Sequence, residues 1–158
     1  MEELARLEDQ ARRALEGEAW YGRAVLETLA SVSVEAATAH PIAGAHSIWE
    51  IVLHLTATYK VVLDRIGHRP GNLTPEHDWP NVGPPDPERW RDAVETLRRL
   101  NGEVRRAMLA FPAHRLEQEI AIGHSSAFVH FAGLPQHDAY HSGQISLLLK
   151  AIESESLR

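Results

Sequence analysis

The chain has 158 residues, 44% hydrophobic and 24% charged, a size and balance suited to one domain (residues 1–158) around one core. Its formal net charge of −6 argues against a protein that grips a nucleic-acid backbone. The absence of cysteine excludes disulfides, thiolate zinc sites and a cysteine nucleophile. The N-terminus lacks a basic stretch followed by an apolar core, and no apolar run reaches the ~18–20 residues that cross a bilayer, so a soluble cytoplasmic protein with no membrane partner is expected.

Four helical segments are predicted. The first covers residues 3–31, with Leu4, Leu7, Ala11, Ala14 and Leu15 at 3-4 spacing and Val25, Leu26 and Leu29 continuing the surface. Gly17 and Gly22 weaken it and mark a place for a break or bend. The second covers residues 47–66. Ile48, Ile51, Val52, Leu55, Tyr59, Val62 and Ile66 form its apolar stripe, Ser47 and Glu50 make an S-x-x-E capping box, and Gly67 follows the end. The connection after it holds six of the nine prolines, Pro70 to Pro87, a density that forbids a helix. The third helix starts at Asp86 and Pro87, an N-cap with proline at N1, and runs to about Ala110. Its R-W-R-D-A-V-E-T-L-R-R-L run reads as a solvated face of mixed charge. Residues 112–124 look extended or irregular. The fourth helix starts near Ser125 or Ser126 and ends near Glu153; Pro135 inside it implies either a kink or a separate short helix ahead of it.

This pattern predicts an all-α four-helix bundle. The second helix is about 30 Å long at ~1.5 Å per residue. The proline-rich connection, at up to ~3.3 Å per residue, spans that length easily. It therefore serves as a crossover between helices 2 and 3, giving up-down-down-up topology.

Q-H-D-A-Y-H-S-G-Q-I carries the first chemical signal. His137, His141, Gln144 and Leu148 share one helix face at about 100° per residue, and Ile145, Leu148 and Ile152 direct it inward. Two buried imidazoles need partners, which a metal or side-chain hydrogen bonds can supply. On the second helix His54 flanks the apolar stripe beside Ser47, Glu50 and Thr58. That position suits a ligand at a cleft edge, and equally a half-exposed histidine with no function. Together the three make a donor set that zinc, nickel, copper and iron all accept. The motif is not H-E-x-x-H, because position 138 is Asp, and no Glu-x-x-His pair recurs as in di-iron bundles. Asp138 and Gln144 are candidate orienters of the ligands. Glu50 lies one turn before His54, and its capping role is preferred over that of a base. His130 is a candidate pocket-lining residue. His40 belongs to a turn, His46 precedes the second helix's cap, and His68, His77, His114 and His124 fall in or beside loops.

H-P-I-A-G-A-H-S-I-W-E-I-V-L-H-L (residues 40–55) and G-L-P-Q-H-D-A-Y-H-S-G-Q-I-S-L-L (residues 133–148) resemble the two signature segments of the DinB/YfiT-like superfamily, and D-W-P and P-E-R-W also resemble its members. The resemblance implies the same up-down-down-up bundle. It implies a divalent metal held by His54, His137 and His141, with zinc or nickel leading and iron, manganese or copper as alternatives. It also implies a homodimer acting on a small-molecule substrate, either as a thiol-dependent transferase using a low-molecular-weight thiol or as a metal-dependent hydrolase. A metal-binding structural or stress protein without turnover is the alternative. Nucleic acid is not an expected partner.

Overall fold

The computed structural model describes residues 2–69 and 71–156; Pro70, counted among the prolines of the connection, lies outside them. Among the described residues every regular element is helical: α1 (Glu2–Glu16), α2 (Val25–Leu29), α3 (Val34–Thr38), α4 (Ile48–Ile66), α5 (Pro75–Asp78), α6 (Pro87–Ala110) and α7 (Ala127–Ser156), with a 3-10 turn at Ala113–Arg115. None of these helices is long and apolar enough to cross a membrane.

The long helices α1, α4, α6 and α7 share one apolar core. Leu15 of α1, Ile48, Ile51 and Leu55 of α4, Leu97 and Met108 of α6, and Phe131 and Ile145 of α7 are fully enclosed in it. Specific pairs tie the helices together. Trp49 near the start of α4 meets Trp90 near the start of α6, with ring centroids 5.5 Å apart. Arg105 of α6 donates to Glu8 and Glu16 of α1, each at 2.6 Å. Further along α4, the Tyr59 hydroxyl donates to Asp138 of α7 at 2.6 Å.

Local signals explain the boundaries. Ser47 Oγ accepts from Glu50 N–H and the Glu50 carboxylate accepts from Ser47 N–H, so the expected capping box forms and α4 starts where predicted. Asp86 accepts from the N–H groups of Glu88 and Arg89, and Pro87 occupies the first turn of α6. The first segment departs from expectation. It ends at Glu16 rather than continuing to residue 31, because Glu18 adopts a left-handed φ of 66° and Gly22 a φ of 131°, which no continuing helix allows. The short α2 and α3 follow instead; Ser33 caps α3 by accepting from Ala36 N–H.

Two other expectations need correction. The proline-rich connection is not free of helix: Thr74-Pro75 opens the single turn α5, where proline at N1 has no N–H to lose. At Pro135 the separate short helix is ruled out, since α7 runs unbroken from Ala127 to Ser156 with Pro135 inside. The start of α7 is satisfied by the preceding loop. Ala127 N–H and Phe128 N–H donate to the carbonyls of Gln118 and Leu116, and Ser126 Oγ accepts from Val129 N–H. Residues 112–124 are irregular apart from the unforeseen 3-10 turn at Ala113–Arg115, and one isolated bridge joins Glu119 to Ser126, just beyond them.

Ser47 is fully buried, so its cap cannot be replaced by water. Ser47→Ala is expected to cost about 1 kcal/mol, read as a lower urea midpoint with an unchanged m-value.

Candidate metal centre

The two histidines of α7 and the one of α4 converge. One ring nitrogen from each of His54, His137 and His141 lies within 4.8 Å of the other two. His137 Nε2 stands 3.0 Å from His54 Nε2 and 3.1 Å from His141 Nε2. Helical spacing places the α7 pair one turn apart on the same face. His54 meets them from α4, and only 9% of it is exposed, against 3% of His141.

The far nitrogens decide the protonation. His54 Nδ1–H donates to Asp78 Oδ1 at 2.7 Å, since a carboxylate only accepts. His141 Nδ1–H donates to Gln144 Oε1 at 2.7 Å. A neutral imidazole carries one proton, so Nε2 of both rings presents a lone pair. Both lone pairs point at His137 Nε2, which has at most one proton to share between them. His137 Nδ1 is buried and has no hydrogen-bond partner. Such an arrangement is poorly satisfied by hydrogen bonds and well suited to a cation. Tetrahedral nitrogen donors at ~2.0–2.1 Å from an ion lie about 3.3 Å apart, close to the 3.0 and 3.1 Å that separate His137 Nε2 from the other two rings.

Burial reinforces this. It lowers the pKa of both His137 and His141 to about 4, and mutual repulsion among the imidazolium forms adds to the effect in each case. Both therefore stay neutral, the form that ligates metal, at ordinary pH.

The connection between α4 and α6 supplies two residues to which sequence reasoning assigned no role. Asp78, at the end of α5, orients His54. Trp79 stacks on His54 with centroids 4.2 Å apart and planes 4° from parallel, and it also stacks on His46 at 3.6 Å. The D-W-P tripeptide was the available signal, but a loop has no periodicity that would reveal where its side chains end up.

The other sequence candidates divide. Gln144 orients His141 as expected. Asp138 does not orient a histidine: it is fully buried and accepts from Tyr59, whose hydroxyl accepts from Asn101 Nδ2 at 3.2 Å. Burial raises the Asp138 pKa to about 7 and pushes that of Tyr59 well above its ordinary 10. Glu50 serves its capping box and also contacts His40 at 3.1 Å, away from the three histidines. His130 lines a cleft of about 320 Å³ that reaches His137 between α4 and α7. No fourth His, Asp or Glu joins the three-histidine group among the described residues.

Opposing pH effects follow. The unfolded chain protonates His137 and His141 near the ordinary 6.5, the folded chain only near 4. Unfolding therefore takes up protons across that window, and stability falls as pH drops through it. Asp138 acts in the other sense. Its folded value near 7 against an ordinary 3.8 adds stability as pH falls across that range. Two histidines outweigh one carboxyl. The metal-free protein is expected to melt lower at about pH 4.5 than at about pH 6.5, and Asp138→Asn to steepen the loss. Thermal denaturation in chelator-treated buffer checks both.

Comparison with curated proteins and with solved structures returned no match. The family profile of the DinB superfamily matches residues 19–145, a span that contains all three histidines together with Asp78, Trp79 and Gln144. The chain belongs to the DinB superfamily.

Proposed function

We propose that His54, His137 and His141 hold one divalent metal ion and that the protein is a metal-dependent enzyme acting on a small molecule. The observation that carries this reading is the convergence of three Nε2 atoms, two of them on rings whose Nδ1 protons are already committed to Asp78 and Gln144. Zinc or nickel leads in this reading, with iron, manganese or copper as alternatives, since an imidazole set accepts several of these ions. When bound, such an ion supplies Lewis-acid chemistry that makes a nucleophile of water or a thiol near neutral pH.

The protein's own residues keep that site ready. Asp78 and Gln144 fix two imidazoles in the ligating tautomer. Burial keeps His137 and His141 unprotonated. Trp79 covers one face of His54 and shields it from bulk water. Since the chain has no cysteine, a thiol nucleophile would come from a low-molecular-weight cosubstrate. Thiol-dependent S-transfer and hydrolysis are the two reactions that fit.

The second reading is a metal staple between α4 and α7 with no turnover, favoured by a cluster that bridges two helices. The cleft beside His137 and the three-ligand set support the enzyme instead, because a substrate has somewhere to bind.

The up-down-down-up order also belongs to this proposal. The start of α4 meets the start of α6 at Trp49 and Trp90, which supports parallel helices joined by a crossover. Arg65, Tyr59 and His54 meet His130, Asp138 and His141 in reverse order, which supports an antiparallel α4 and α7. A single domain over residues 1–158, a homodimer and a cytoplasmic location complete the proposal. The net charge of −6 supports a small-molecule rather than a nucleic-acid partner.

Untagged protein is expected to purify with about one metal ion per chain, measured by elemental analysis, and His137→Ala to lose it. Asp78→Asn is expected to weaken metal affinity about 10–100-fold while leaving the helical circular-dichroism signal intact. A wild type without stoichiometric metal, together with a His137→Ala variant unchanged in metal content and stability, would sink the proposal.

A further inference from the structure

The cleft that reaches His137 has a charged end. Its walls are aliphatic, from Val61, Val62, Leu73, Val129 and Leu134, and Arg65 stands in it opposite His130. Among the described residues no carboxylate pairs with Arg65. Its Nε–H donates to the Gly71 carbonyl at 2.9 Å, and Nη1 donates to His130 Nε2, also at 2.9 Å. His130 Nδ1–H then donates to the Ser126 carbonyl at 3.0 Å, so its single proton is accounted for and the ring is neutral. Arg65 thus keeps a full positive charge, and among the described residues no acceptor pairs with its Nη2.

The guanidinium is held in place as well as uncompensated. A Cβ at Gly71 would come within 2.7 Å of the Val61 carbonyl oxygen and 2.9 Å of Arg65 Cγ, so only glycine lets the loop close on α4 here. One fixed cation at the end of an apolar cleft matches one negative charge on an apolar body. A singly charged carboxylate balances it; a doubly charged phosphate monoester leaves a charge over. His130 and His137 lie seven residues apart on α7, about 10 Å of helical rise, and share one face.

We infer that this cleft binds a small apolar carboxylic acid, its carboxylate on Arg65 and its body extending toward His137. The inference names the substrate class of the proposed enzyme and rests on that reading for its second half; the carboxylate site itself does not require the metal.

Titration calorimetry tests it with the untagged full chain, metal-free and zinc-loaded, using octanoate, octylamine, octan-1-ol and octyl phosphate. Octanoate is expected to bind both forms and octylamine neither. Arg65→Gln is expected to weaken octanoate about tenfold or more and leave octan-1-ol unchanged. Gly133 lines the cleft, and a Cβ there meets nothing within 4 Å. Gly133→Leu should therefore fill the space and remove binding of both octanoate and the alcohol. The inference is overturned if octanoate binds neither form, if octylamine binds as well as octanoate, or if Arg65→Gln leaves octanoate affinity unchanged. Preference for octyl phosphate over octanoate overturns it too. The octylamine comparison keeps the test valid even if Arg65→Gln fails to fold. Arg65-dependent octanoate binding by a protein that takes up no zinc supports this inference while ending the metal reading.

Discussion

A neutral imidazole has one proton and two nitrogens, and that count governs the centre of this protein. Asp78 and Gln144 each draw the proton of a histidine to Nδ1, leaving two Nε2 lone pairs aimed at the Nε2 of His137. Nothing in the three rings can satisfy all of them by hydrogen bonding. Protonation is the simplest relief, but burial opposes it strongly at His137 and His141. The fold therefore maintains a concentration of electron pairs that is costly by itself and favourable around a cation.

Helix geometry keeps this arrangement separate from the core beside it. Successive residues on α7 point about 100° apart. His137 therefore faces the cluster while its neighbour Asp138 turns to Tyr59 and Asn101 in the interior. That second polar group is itself incompletely satisfied: Asp138 Oδ1 and Asn101 Oδ1 are buried without partners. Its high carboxyl pKa is the expected response to such burial. Two polar systems thus sit back to back on one helix, each with its own partners.

One face of α7 carries chemistry from His130 to Gln144. His130, His137, His141 and Gln144 fall close to a single line, and the line holds because the helix continues through Pro135 in phase. Proline costs a hydrogen bond there, since the Phe131 carbonyl loses its partner four residues on. The loop carbonyls that receive the first N–H groups of α7 secure the short segment ahead of it. Opposite this face, α4 supplies His54 and Arg65 three turns apart, and the cleft lies between them.

Much of this was legible in the sequence. The capping box at Ser47 and Glu50, the proline start of α6 and the inward phase of His137 and His141 all depend on residues within one or two turns, where chain geometry alone sets position. The motifs of residues 40–55 and 133–148 pointed to the superfamily. The break after Glu16 was signalled by Gly17 and Gly22, but the left-handed turn at Glu18 is a conformation rather than a composition. Asp78 and Trp79 could not be assigned because an aperiodic loop carries no register; only its closure over α4 brings them to His54. The pairing of Arg65 with His130 spans 65 residues of chain and exists only because α4 and α7 lie side by side. The sequence by itself determined the starts and caps of α4 and α6 and the inward phase of His137 and His141, since those follow from local periodicity. The tertiary structure alone decided which distant groups meet, and hence where each imidazole proton sits and where an uncompensated charge remains.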